Sequence, residues 1–448
     1  MSPRARGWLA VAVGVALLAG LALLGRGPQE PITTVVPSDT LVAGRPAPPS
    51  TSAEEPQSPH SRARAVLDLL DRRATAMRQR DEAAFLATVD PRAAPEFVAA
   101  QRALFANLGG LPLSAWSYEV DGATSAQPPT RQHDDAPLWA PRTTLRYAFS
   151  VADEVPTYRP LGYLYVQRDG GRWYLASDNE LGADAEPTWR GPWDFGPCVA
   201  VGAASGLVVG HPGQEELMTM LATEVDGAVA AVTAVWGTEW SQRVAVLVPA
   251  SIEEMRALVG PAFAVDGIAA AAVADRVDAT NHTAVGQRVV INPDQAGRLS
   301  ASARRIVLRH EITHVAARAF TVTGAPTWLL EGFADYVGYR DSGLAPREAA
   351  PDLVRALGES GPPNQLPADS DFDGANEHLD LAYQLAWSAA LHVVDRVGEA
   401  GLVRLYRQIA GSPTQDQATV DTALRDVLGL DLAGFVASWR DSLGPRFA

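Results

Sequence analysis

His310-Glu311-Ile312-Thr313-His314, followed after sixteen intervening residues by Glu331-Gly332-Phe333-Ala334-Asp335, decides the reading of this chain. Two histidines four apart on a helix lie one turn above each other on the same side, so both imidazoles can reach a single cation. Glu311 then sits beside them, facing a water on that cation. The segment from Ser300 to Phe320 carries apolar residues at Ile306, Val307, Ile312 and Val315 with no Gly or Pro, which predicts one continuous helix. Pro326-Thr327 opens a second predicted helix through Tyr336, with Thr327 as its N-cap and with Glu331 and Asp335 again four apart. Glu331 is the expected third ligand, and Asp335 the acceptor for the free ring N–H of a ligand histidine, fixing its tautomer and orientation. The expected cofactor is Zn2+, because two histidines and a carboxylate leaving one open position is the donor set of a hydrolytic zinc site.

Trp328-Leu329-Leu330-Glu331-Gly332-Phe333-Ala334-Asp335-Tyr336 matches a stretch that follows the zinc helix in the gluzincin metallopeptidases. The run from about Leu299 to Trp439 resembles their peptidase MA-like domain. Tyr383-Gln384, the later Arg396-Val397-Gly398 and the tail closing on Phe435-Val436-Ala437-Ser438-Trp439 are similar as well. The resemblance covers about a third of the chain. It implies His310, His314 and Glu331 as zinc ligands, and Glu311 as the base that takes a proton from water attacking a peptide carbonyl and hands it to the leaving amine. It also implies a Tyr or His on a later helix as a second stabiliser of the oxyanion. Tyr383 is the candidate and His378 the second, although Tyr383 lies in an apolar helical stretch where a packed tyrosine is equally expected. Gluzincins further place an edge strand beside the zinc helix, along which a substrate backbone can lie. Gln287 to Asn292 is the strand expected in that role, with an interior strand the plainer alternative.

Composition bounds the remainder. A chain of 448 residues with 47% hydrophobic content can bury two or three cores. The net charge of −15 and the absence of Lys argue against nucleic acid as a partner, since phosphate recognition relies on clustered positive charge. The absence of Lys also excludes a P-loop or Schiff-base lysine. A single cysteine, Cys198, permits no intrachain disulfide and reads as a buried thiol.

The expected architecture is a multidomain α+β protein. Residues 1–26 read as a transmembrane anchor, because Trp8 to Leu24 is continuously apolar between Arg4, Arg6 and Arg26. The arginines place the N-terminus in the cytoplasm and the remainder outside, with secretion the alternative if the segment is cleaved. Residues 27–61, rich in Pro, Ser and Thr, read as a disordered tether. Residues 62–187 open with an amphipathic helix and continue in strands. The Arg168 to Gly171 turn joins the last two as a hairpin, and the whole is weakly similar to the cone of the nuclear-transport-factor-like fold. His133, Asp134, Asp135, Asp153 and Glu154 read there as solvated loop charges. Residues 188–448 form the expected peptidase part, a mixed sheet lobe followed by a helical lobe from Ala382 to Leu443. Within it, Ser251 to Glu254 reads as a capping box, and His211, His282 and His392 have no metal partners at useful spacing. The functional expectation is a membrane-tethered zinc metallopeptidase acting outside the cytoplasm on peptide or protein substrates. The alternative is an inactive peptidase-like scaffold at the cell surface, and oligomeric state is not readable.

Overall fold

The computed structural model describes residues 59–128, 136–168, 170–182, 185–260, 265, 268–374 and 376–447. The apolar run at 8–24 and the charges at 133–135 lie outside them. The chain is a mixed α+β protein with two principal sheets. In its N-terminal part, helices α1 (Pro59–Gln79), α2 (Glu82–Leu86) and α3 (Pro95–Asn107) precede five antiparallel strands: β1 (Leu113–Ala126), β2 (Leu138–Phe149), β3 (Thr157–Leu161), β4 (Leu164–Arg168) and β5 (Arg172–Ser177). Their order is β1-β2-β4-β5, with β3 also paired to β2. The β4–β5 hairpin closes through Arg168↔Arg172 with Gly170 and Gly171 at φ of 79° and 75°, conformations a side chain would resist. α1 buries Val66, Leu69, Leu70 and Met77, an apolar stripe at helical spacing, against β1 and β5.

The second sheet is mixed, with order β6-β7-β8-β12-β9. It comprises β6 (Val199–Ala203), β7 (Gly206–Gly210), β8 (Val244–Leu247), β9 (Ala270–Val273) and β12 (Arg288–Ile291), while β10 (Arg276–Asp278) and β11 (Thr283–Val285) form a separate hairpin. Helices α4 (Glu215–Trp236) and α5 (Ile252–Val259) are inserted between its strands. α4 is long and apolar enough to cross a membrane, but Met218, Val225 and Val232 are buried in the core of the protein. Strand alternation divides this sheet between two cores. Val208, Val244, Val246, Val289 and Ile291 face α4 and the helices that follow. Leu207, Val209, Ala245, Leu247 and Val290 join one continuous cluster with the N-terminal helices and strands.

Two sequence expectations change here. Asp153 is not a solvated charge: its carboxylate accepts from Arg288 Nη1 and Nη2 at 2.6 and 2.7 Å, with side-chain exposures of 1% for Arg288 and 6% for Asp153. The β-branched, apolar neighbours of Arg288 gave no hint that an arginine would be buried on an interior strand and need a counter-charge from the distant β2–β3 loop. The Ser251–Glu254 capping box is half formed. Ser251 accepts from the Glu254 amide, whereas the Glu254 carboxylate turns inward to the Ala250 amide and His211.

The remaining helices are α6 (Pro293–Ala296), α7 (Ala301–Ala317), α8 (Thr327–Tyr339), α9 (Pro346–Ala349), α10 (Pro351–Ser360), α11 (Leu379–Ala410), α12 (Gln417–Leu428) and α13 (Leu432–Phe447). α11 is interrupted at Gly398 (φ 74°), within the Arg396-Val397-Gly398 element. Trp439, fully buried, donates from Nε1 to Ser388 Oγ at 2.9 Å and ties α13 to α11.

Candidate metal centre

α7 begins where Ser300 caps the Ala303 amide, and it runs through Ala317 as the spacing predicts, with a 3₁₀ turn over Arg318–Phe320. Its second half is almost wholly buried between β9, β12, α4 and α8. α8 starts after Pro326, which takes the N-cap position expected for Thr327. Thr327 is the first helical residue, and its amide is satisfied by Asp369 Oδ1 at 2.8 Å. Two glycines let α8 lie closely between its neighbours. A Cβ on Gly332 would stand 2.4 Å from the Ala386 carbonyl oxygen of α11, and one on Gly338 would stand 3.1 Å from the Ile306 carbonyl oxygen of α7. Glu331 is thereby carried to the histidines.

His310, His314 and Glu331 form a buried group that could hold a metal ion, with ligand atoms within 4.8 Å of one another. The two Nε2 atoms are 3.1 Å apart, and Glu331 Oε2 is 3.3 Å from that of His310 and 3.4 Å from that of His314. Three ligands on a tetrahedron with bonds near 2.05 Å stand about 3.3 Å apart, so these three atoms occupy the corners of a zinc-sized tetrahedral face. Glu331 and Glu311 are buried carboxylates, the first facing the two imidazoles and the second the Ala272 amide, with no closer hydrogen bond to either. Uncompensated carboxylates cost several kcal/mol, about the size of penalty that a bound cation relieves. The donor set and the geometry therefore both fit Zn2+.

Asp335, one turn after Glu331, accepts from His310 Nδ1 at 2.8 Å, which leaves His310 Nε2 pointing to the centre. Burial works against the His310 imidazolium, but hydrogen bonds to Asp335 and Glu331 outweigh it and hold that group well above the ordinary histidine range. Burial dominates at His314 and lowers it. Burial also raises Glu311 to about 7, with the Glu331 charge adding to the rise while His310, the Ala272 amide and Arg318 pull the other way.

Tyr383, on the first turns of α11, lies beside this group. Its ring centroid is 6.4 Å from that of His310, and it packs edge-on against Phe372 at 5.2 Å. The second candidate, His378, is an exposed residue preceding α11 and makes no interaction with the metal group. Three further histidines lie elsewhere. His211 Nε2 is 3.0 Å from Glu254 Oε1, His282 stacks on Phe320, and His392 meets Ser438.

The edge strand requires a correction. β12, expected to border the cleft, is interior, flanked by β8 and β9. The edge is β9, four residues of which three are alanine. So short a run, with Val273 as its one β-branched residue, carries little of the signal that marks strands. Sequence reading also missed Arg318, whose Nη2 donates to Ala272 O of β9 at 3.0 Å, and Phe372, whose ring supports Tyr383.

No family model matches the chain. No curated protein matches it. Among solved structures, an M1 zinc metallopeptidase from Deinococcus radiodurans is 14% identical over 73% of this chain and 83% of that chain, with a TM-score of 0.32. A mutant of the M1 zinc metallopeptidase from Deinococcus radiodurans bound to a Tyr-Ser-Ala substrate is 15% identical over 62% and 58%, with a TM-score of 0.32. A two-domain M1 zinc metallopeptidase mutant bound to L-tryptophan is 14% identical over 62% and 58%, with a TM-score of 0.29. The chain spans less than two thirds of the length of the last two. Likenesses of this size leave the functional reading to the geometry of the site itself.

Proposed function

We propose that the protein is a zinc metallopeptidase that hydrolyses peptide bonds. The observation that carries this reading is the convergence of His310 Nε2, His314 Nε2 and Glu331 Oε2 on one point, 3.1 to 3.4 Å apart, next to the buried carboxylate of Glu311. A zinc ion there supplies a Lewis acid and a water of lowered pKa. Glu311, adjacent to His310 on α7, accepts the proton of the attacking water and returns it to the leaving amine. Asp335 keeps His310 in the Nδ1–H tautomer. Tyr383, buried beside His310, donates to the oxyanion as the carbonyl becomes tetrahedral. The outer edge of β9, beside the zinc helix, receives the substrate main chain, and the close packing of α8 and α11 excludes bulk water.

The same reading takes residues 1–26 as an uncleaved anchor that places the folded part outside the cytoplasm, and residues 62–187 as a binding or spacer module. Peptides or proteins are the partners, and the acidic balance favours none of nucleic acid. The test compares wild type with Glu311→Gln for zinc content and for cleavage of a mixed peptide library, with and without chelator. Equal zinc with cleavage lost only in the variant is the expected result. Zinc retained by both proteins with no cleavage by either would establish the inactive scaffold instead.

A further inference from the structure

The main-chain groups of β9 divide by register. Val289 stands opposite Ala272 and Ile291 opposite Ala270, and the Asn292 amide donates to Ala269 O at 2.9 Å. By the alternation of an antiparallel ladder, residues 269, 271 and 273 therefore turn their N–H and C=O toward β12, while Ala270 and Ala272 turn theirs outward. The Ala272 amide faces Glu311. The Ala272 carbonyl is already taken, because Arg318, seven residues and two helical turns beyond Glu311, reaches back from the end of α7 with Nη2 at 3.0 Å. Arg318 itself is held in place. It begins the 3₁₀ turn Arg318–Phe320, against which the β10–β11 hairpin packs through His282, stacked on Phe320 at 4.3 Å with Nδ1 3.3 Å from Ala319 O.

Resting on the peptidase reading above, we propose that Arg318 determines substrate specificity at this edge: by occupying the Ala272 carbonyl, it lets the site accept peptides whose residue facing Ala272 lacks an N–H, that is, proline or another N-alkylated residue. A peptide laid on an edge strand ordinarily exchanges N–H···O=C pairs with it, and a residue without an N–H forfeits one. At Ala272 that pair is not on offer. The remaining lone pair of the oxygen has to be approached past a planar cationic head group, so a substrate N–H brought there loses water and gains little in return. A tertiary amide has no donor to desolvate. Ala270, one pleat away with both groups outward, remains the position where the substrate main chain is gripped.

The experiment uses the full, zinc-loaded chain and matched peptides in which alanine, N-methylalanine and proline are moved one position at a time across the scissile bond. For wild type, one position should show kcat/KM for alanine and N-methylalanine within about twofold of each other. In Arg318→Met the freed carbonyl should raise the alanine preference at that position by roughly fivefold, the size of one net hydrogen bond. Arg318→Lys, which keeps a cationic donor, should stay near wild type. Deuterium exchange of residues 268–274 gives a second readout independent of cleavage, since losing the clip should speed exchange at Ala271 and Val273. An alanine preference unchanged in Arg318→Met overturns the proposal, and so does unchanged exchange. If wild type cleaves none of the peptides, the peptidase reading falls and takes the substrate claim with it, while the exchange result still decides whether Arg318 holds the edge.

Discussion

His310 donates from Nδ1 to Asp335 Oδ1 at 2.8 Å, across the contact between α7 and α8, with the histidine fully buried and the aspartate nearly so. The bond fixes which ring nitrogen is available, because an imidazole that gives its Nδ1 proton to a carboxylate keeps the Nε2 lone pair for a cation. Asp335→Ala should therefore weaken zinc affinity by about 10- to 100-fold. Competition with a chromophoric chelator measures this, and an affinity equal to wild type would show that ring orientation is set by packing alone.

Gly332 lies where α8 and α11 approach closely, and a methyl group there meets the Ala386 carbonyl oxygen at 2.4 Å. Backbone cannot yield as a flexible side chain does, so Gly332→Ala should cost about 1–3 kcal/mol. It should also displace Glu331 and lower zinc affinity. Gly358→Ala on α10, where nothing lies within 4 Å, is the control and should be neutral or stabilising by up to about 1 kcal/mol. Denaturant unfolding of the two variants, side by side, separates a close-packing cost from helix propensity.

Tyr383→Phe retains the ring that packs between His310 and Phe372 and removes only the hydroxyl. Zinc content and stability should hold, while kcat falls by about 10²- to 10³-fold with little change in KM, as for loss of one oxyanion donor. Steady-state kinetics on any cleaved peptide decides it, and a wild-type kcat would reduce Tyr383 to a packing residue.

The Asp153–Arg288 pair joins the β2–β3 loop to an interior strand of the second sheet, with both side chains almost fully enclosed. Burial of Arg288 opposes its charge, and Tyr147 and Asp153 restore it. Asp153→Ala leaves that cation without the carboxylate that holds both of its terminal nitrogens and should cost about 3–5 kcal/mol. Replacing both residues with apolar ones of similar volume should cost markedly less. Equal losses in the single and double variants, read from urea midpoints, would contradict this.

Asp275 is pushed up to about 6, chiefly by burial and despite Arg159 and Arg288 nearby. A carboxyl whose folded pKa lies above its unfolded value binds its proton more tightly when folded. Its contribution is therefore fully present below pH 4 and is lost as pH rises through about 6. In Asp275→Asn this loss disappears, so the stability of wild type relative to the variant should decline between pH 4.5 and 7. Thermal melts at several pH values report the difference, and a constant difference would place the Asp275 titration elsewhere.

The metal ligands were legible because their spacing encodes geometry directly. His310 and His314 share a helix face by arithmetic, and Glu331 with Asp335 repeats the same interval on the next helix. The zinc helix α7 was readable from its apolar periodicity, and the β4–β5 hairpin from its turn residues. Long-range partners were not. Nothing local tells Asp153 that Arg288 will need it 135 residues later, or turns Glu254 from its cap toward His211. β9 escaped notice because Ala270-Ala271-Ala272 has no β-branched residue, and its place as an edge follows from sheet order, which no window of sequence contains.

The second sheet lends one face to each of two cores, and this restricts how the molecule can be rearranged. A chimera that exchanged everything before β6 for another protein would need a replacement surface moulded to Leu207, Val209, Leu247 and Val290, with a carboxylate poised for Arg288. Without that fit, the scaffold under the zinc helix would lie open to water on its reverse side, and damage far from the metal would reach it through the five short strands of that sheet.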